Sequence, residues 1–240
     1  GYRPGKGVTH GRVPITVVRD EFQESLDELR AEVLSMSDLV AARLDRALGA
    51  LEAVDEAAAR AVIDGDDAVD GRYLDLESTC IQLFAQQQPV AGDLRFVASS
   101  FKIVTDLERV GDLAVNLAQY TLAADRRRFA EVDLSPLGDI AADMLDDAMT
   151  AYRTDDAELC HEIAARDDEL DTLCQRASER VVRELIEREV DEGDSWAVEE
   201  LLDDVSRLLL VIRDLERVGD HAVNIAARTL YMVESDPQLV

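Results

Sequence analysis

The chain has 240 residues and a formal charge of -27, from 52 acidic against 25 basic side chains, and its only lysines are Lys6 and Lys102. So acidic a surface repels polyanions, which excludes nucleic acid as a partner of the acidic body and anionic lipid as a direct docking surface. No stretch approaches the roughly 20 apolar residues of a membrane span and no signal-peptide pattern opens the sequence, so a cytoplasmic protein is expected. Three cysteines, Cys80, Cys160 and Cys174, are an odd number without CxxC spacing. They read as small core residues rather than a disulfide framework or a zinc ribbon.

Residues 1–20, GYRPGKGVTHGRVPITVVRD, contain four glycines, two prolines and the basic side chains Arg3, Lys6, Arg12 and Arg19, with no acid before Asp20. They read as a flexible basic arm. From there Phe22, Leu26, Leu29, Val33, Met36, Val40, Ala47 and Leu51 follow a three-four spacing that predicts a helix over 21–53. Asp55 can cap a second helix running to Gln88, where Pro89 removes an amide donor and stops it. Asp93 opens a third helix to about 125. Ser135 before Pro136 pairs a capping hydroxyl with proline at the first helical position. Helices then run over 136–153, 157–191 and 196–233, broken at Asp155–Asp156 and Gly193–Asp194–Ser195. The expected fold is all-α, six long helices in two pseudo-symmetric three-helix bundles, residues 21–126 and 127–240.

Residues 106–118 read DLERVGDLAVNLA, and 108 positions later residues 214–226 read DLERVGDHAVNIA, identical at eleven of thirteen positions. In both copies a glutamate, Glu108 or Glu216, falls where the three-four seam calls for an apolar residue. An aspartate follows one turn on, Asp112 or Asp220, and an asparagine after that, Asn116 or Asn224. The preceding helix of each half repeats the device with Asp66 and Asp70, and with Asp167 and Asp171. Counted from the hairpin middles at residues 90 and 193, Asp70 and Glu108 lie 20 and 18 residues down, and Asp171 and Glu216 lie 22 and 23. At about 1.5 Å per residue each set is level, so four carboxylates per bundle should meet.

Such a meeting is costly. Like charges at helical spacing cost about 0.2–0.5 kcal/mol per exposed pair, and glycine at 111 and 219 adds about 1 kcal/mol each in mid-helix. Two arrangements would offset this. One is a set of hard cations such as Mg, Mn, Ca or ferric iron, or zinc, on oxygen ligands. The other is a buried ion-pair network using Arg109, Arg217, Arg72 and Arg95. The helix expected over 157–191 offers only Arg166 and Arg176 near Asp167 and Asp171, which favours cations.

These doubled acid-xxx-Asp segments, DLERVGD with AVN after it, and QPVAGDLR at 88–95 closing the first hairpin resemble the PhoU proteins, accessory regulators of phosphate uptake. The resemblance spans residues 21–233. It implies two pseudo-symmetric three-helix bundles and multinuclear iron or zinc clusters, one held by Asp66, Asp70, Glu108 and Asp112 and the other by Asp167, Asp171, Glu216 and Asp220. It also implies an adaptor between the ATPase subunit of a phosphate ABC transporter and a sensor histidine kinase or other regulator, acting as a homodimer and reaching the membrane only through the transporter. The basic arm and the missing second QPVAGDLR depart from the pattern. The acidity itself resembles that of haloarchaeal proteins.

A ferritin-like oxygen-activating enzyme needs two Glu-x-x-His motifs, and the sequence has only Glu158 to His161, at a helix start where glutamate is ordinary capping chemistry. His221 has Leu113 as its counterpart in the first half, and His10 lies in the arm. No serine or cysteine has a recognisable base and no glycine-rich phosphate loop occurs, so no catalysis is expected. A purely structural helical scaffold remains the third reading.

Overall fold

The structure, a computed structural model, describes residues 15–85, 91–123, 132–189 and 195–234, and every regular element among them is an α-helix. The helices are α1 (Ile15–Ala53), α2 (Glu56–Asp64), α3 (Asp67–Ala85), α4 (Ala91–Ala123), α5 (Ser135–Thr154), α6 (Ala157–Glu189) and α7 (Ser195–Glu234). The six expected helices are present, with the second divided into α2 and α3. No helix among the described residues is long and apolar enough to cross a membrane.

In the first half α1 and the α2–α3 pair pack on α4; in the second, α5 and α6 pack on α7. The halves join along α4 and α7, which run antiparallel, since Asp106 meets His221 while Asn116 meets Asp214. One apolar cluster continues through both halves, from Leu29, Met36 and Leu76 through Ile103 and Leu117 to Met144, Val211 and Leu230. The bundles are therefore two in topology and share one core. Cys80, Cys160 and Cys174 are buried free thiols within it, as expected, and burial raises all three above the usual thiol range.

The two hairpin corners show the internal symmetry. Val54 (φ 51°) and Asp155 (φ 55°), 101 positions apart, both take the left-handed conformation that lets the chain reverse. Asp55 then caps α2 by accepting from Ala57 N and Ala58 N at 2.9 and 3.1 Å, and Asp156 caps α6 through Glu158 N and Leu159 N at 3.0 and 3.1 Å.

Three expectations need correction. The first helix starts at Ile15 rather than 21, so residues 15–20 of the predicted arm are helical. A run of β-branched residues costs only tenths of a kcal/mol per residue, too little to stop a helix that packing already stabilises. The remaining arm residues, 1–14, and the hairpin middle at 86–90, with Pro89, lie outside the described residues. Ser135 is the first residue of α5 rather than its cap; its amide donates to Asp133 Oδ1 at 3.0 Å, while Leu134 holds the cap position without a side-chain bond.

The third correction is the break in the second helix. At Gly65 and Asp66 the ladder tightens to Asp66 N donating to Ile63 O and Val69 N to Asp66 O, 3.2 and 2.9 Å. Arg43, reaching across from α1 and buried, donates to the carbonyls of Val62 (2.7 Å) and Gly65. A Cβ at position 65 would stand 3.1 Å from Arg43 Nη1, so glycine makes room for the guanidinium. The break is a tertiary effect, supplied by a residue 22 positions away.

Candidate functional site

The repeated glycines set the geometry. A Cβ on Gly111 would lie 3.1 Å from Val69 Cγ1, and one on Gly219 would lie 2.4 Å from Leu170 Cδ2. At both places the third helix of a half touches its hairpin partner closely, one residue before the aspartate of the repeat and one before that of the partner helix. Close approach, not conformational freedom, is why glycine stands there. It draws the two acid pairs of each hairpin together.

The first cluster comprises Asp66 and Asp70 with Glu108 and Asp112. Asp66 and Glu108 are half-buried, while Asp70 and Asp112 are exposed, so the cluster lines a flank of the hairpin rather than its interior. Burial, and then Asp112 and Asp70, raise Glu108 above the usual carboxylate range, with Arg109 pulling the other way. Asp112 is raised by burial and Asp70 against Arg217. Asp66 is raised by burial, opposed by Arg43 at 3.2 Å, and raised further by Asp70, Asp112 and Asp67.

In the second cluster Asp167 and Glu216 are half-buried and Asp171 and Asp220 exposed. Asp167 is pushed up to about 6 by burial and by Asp171, Asp220, Asp168 and Glu216. Its Oδ1 is buried and has no hydrogen-bond partner. Glu216 is raised by burial, Asp171 and Asp220; Asp220 is raised by burial and Asp171 against His221 and Arg217. In each set Asp70 or Asp171 is thus close enough to the other acids to disfavour their ionisation.

These donors suit a hard cation in charge and type, and an orphaned buried carboxylate oxygen is what such an ion would satisfy. Among the described residues, no three His, Cys, Asp or Glu side chains converge into a ready coordination set, so closing one around an ion needs side-chain rotations. The ion-pair network expected as the rival arrangement is not built from its expected members. Arg166 pairs with Asp147 of α5, and Arg217 lies 3.9 Å from Asp214. Arg109 and Arg217 act on the acids only at longer range, and among the described residues the arginine paired with a cluster acid is Arg43, from α1.

Two functional-looking groups escaped the sequence reading. Asp214 is wholly buried between the halves, accepting from Tyr120 Oη (3.0 Å) and Asn116 Nδ2 (3.3 Å) and paired with Arg213 at 3.0 Å. Its counterpart Asp106 sits 2.8 Å from His221 Nδ1, both buried. Asn116 therefore serves the seam between the halves instead of extending the acid row. The signal was available: Asp106 and Asp214 open the two copies of the repeated segment. Glu158 and His161 are exposed at the start of α6, away from both clusters.

The architecture that emerges is an all-α helical bundle in two similar halves, each carrying a half-exposed carboxylate cluster. The model of the PhoU domain matches residues 33–121 and again 134–229, one match per half. The chain belongs to the PhoU family. It is 31% identical over 220 residues to the phosphate-specific transport system accessory protein PhoU homolog of Clostridium acetobutylicum, covering 90% of this chain and 96% of that protein. With PhoU homolog 1 of Methanothermobacter thermautotrophicus it shares 34% over 218 residues, 88% of this chain and 94% of the relative. The crystal structure of the phosphate transport system regulatory protein PhoU from Streptococcus pneumoniae superposes with a TM-score of 0.79 at 29% identity, covering 90% and 98% of the two chains.

Proposed function

We propose that this chain is a non-enzymatic regulator of phosphate uptake and phosphate signalling, which holds cations in its two carboxylate clusters. It works as an adaptor on the cytoplasmic side, as a homodimer, between the ATPase subunit of a phosphate ABC transporter and a signalling partner such as a sensor histidine kinase. The observation that carries the reading is the double match of the family domain, one copy on each half and each spanning one cluster, together with relatives named as accessory proteins of phosphate-specific transport. A cation, iron, zinc, magnesium or manganese, would be held by Asp66, Asp70, Glu108 and Asp112 in one half and by Asp167, Asp171, Glu216 and Asp220 in the other. When bound it supplies positive charge. The residues themselves do the rest: both helices of a hairpin present acids at one level, so neutralising them fixes the hairpin in one register for a partner to read.

Two measurements test this. Untagged protein purified without chelating resin should carry metal by elemental analysis and lose most of it in a D167N/E216Q/D66N/E108Q variant that stays helical. Equal metal in that variant overturns the cation reading. In phosphate-rich cells the chain should co-purify with the transporter ATPase subunit; its absence from the complex, with the subunit demonstrably present, overturns the adaptor reading.

A further inference from the structure

The two clusters occupy equivalent places, and among the described residues the cation hydrogen-bonded to a cluster acid is found in the first alone. At 101 positions after Arg43 stands Met144, and after Gly65 stands Arg166. In the first half the Arg43 side chain, 6% exposed, passes under the acid row, holds the carbonyls of Val62 and Gly65 and ends on Asp66 Oδ1. In the second half Met144 is fully buried and its methyl group approaches Gly219, where a Cβ would be 3.7 Å away. Arg166, at the place of Gly65, pairs with Asp147 of α5. α6 accordingly runs through without a break, and Asp167 Oδ1 is buried with no donor.

We infer that Arg43 is a resident cation of the first cluster, which makes the two clusters unequal: the second is the tighter metal site, and the first binds with lower affinity or fewer ions because a guanidinium already satisfies Asp66. This rests on the cation reading above and adds a rank order to it. The physical reason is charge. Arg217 faces an aspartate of each cluster, Asp112 and Asp220, and His221 adds only a longer-range influence on the second, whereas Arg43 is in hydrogen-bond contact with Asp66; that guanidinium keeps its proton and cannot be displaced without uncovering two backbone carbonyls. Arg43 is a positioning residue here; it would touch no metal.

The test is titration of chelator-stripped full chain with Mn(II) alone, counting free ion by electron paramagnetic resonance. Wild type should show two classes of site with dissociation constants about tenfold or more apart. The tighter class should vanish in Asp167→Asn and survive in Asp66→Asn. Arg43→Gln, which keeps amide donors for the carbonyls and drops the charge, should strengthen the weaker class and leave the tighter one unmoved. Met144→Arg should weaken the tighter class, with helicity by circular dichroism confirming a folded chain. Two classes of equal affinity, or loss of the tighter class in Asp66→Asn alone, overturn the inequality while leaving the cation reading standing. No Mn(II) bound by folded wild type removes both.

Discussion

The two halves of the chain are built on one plan and solve it differently wherever a buried charge must be satisfied. In the first half an arginine from α1 enters the carboxylate cluster and breaks the second helix; in the second a methionine fills that volume and α6 is continuous. Across the seam, Asp214 has several donors from both α4 and α7, while its counterpart Asp106 has His221. A repeated segment thus keeps its acids but not their partners. Duplication preserves where helices cross; satisfaction of each carboxylate is then local, because a hydrogen bond depends on one side chain reaching one atom.

The sharpest way to break this comparison is at the seam. Asp214→Asn should cost about 2–3 kcal/mol in urea unfolding and Asp106→Asn about 1–2, since hydrogen bonds to a buried charge are worth about 1.5–3 kcal/mol and Asp214 serves more of them. Equal costs would mean that the seam does not distinguish its two aspartates.

Next come the glycines. Gly219→Ala should destabilise by about 1–2 kcal/mol, because a Cβ would sit 2.4 Å from the buried Leu170, and overpacking outweighs the roughly 1 kcal/mol that alanine gains in helix propensity. Gly111→Ala, with 3.1 Å to Val69, should be near neutral. Thermal melting of the pair decides it, and the order should not reverse.

The smallest effect is in the pH profile. Asp167 is near 6 in the folded chain against an ordinary 3.8, so between those values the folded state holds the extra proton, and metal-free protein should lose stability as pH rises from about 4 to about 6. With the group partly open to solvent the loss is on the order of 1 kcal/mol. Asp167→Asn should flatten that window, measured by melting in the presence of chelator, whereas Asp66→Asn should not flatten it as much because Arg43 already stabilises that carboxylate's charged form.

Much of the molecule was legible in the residues alone. Three-four apolar spacing and the Asp55 and Asp155–Asp156 corners placed the helices to within a few residues except at the start of α1 and at the break between α2 and α3, because periodicity and caps are local properties. The level acid pairs followed from counting along antiparallel helices, and the effect of Asp70 on Glu108 and of Asp171 on Glu216 agrees with that count. The partners were not legible. Arg43 lies 23 residues before Asp66, and His221 115 residues after Asp106, and no spacing rule links such pairs.

What the sequence determined by itself, then, is the set of helices, their doubling and the acids they carry, since each depends on neighbours within a turn or two. Only the tertiary structure decided that the glycines mark helix contacts, that one hairpin is broken and the other whole, and that the first acid of each repeat faces the seam. Those outcomes depend on which side chains meet when α1 crosses α2 and α4 crosses α7, and a crossing is settled by packing across the whole core.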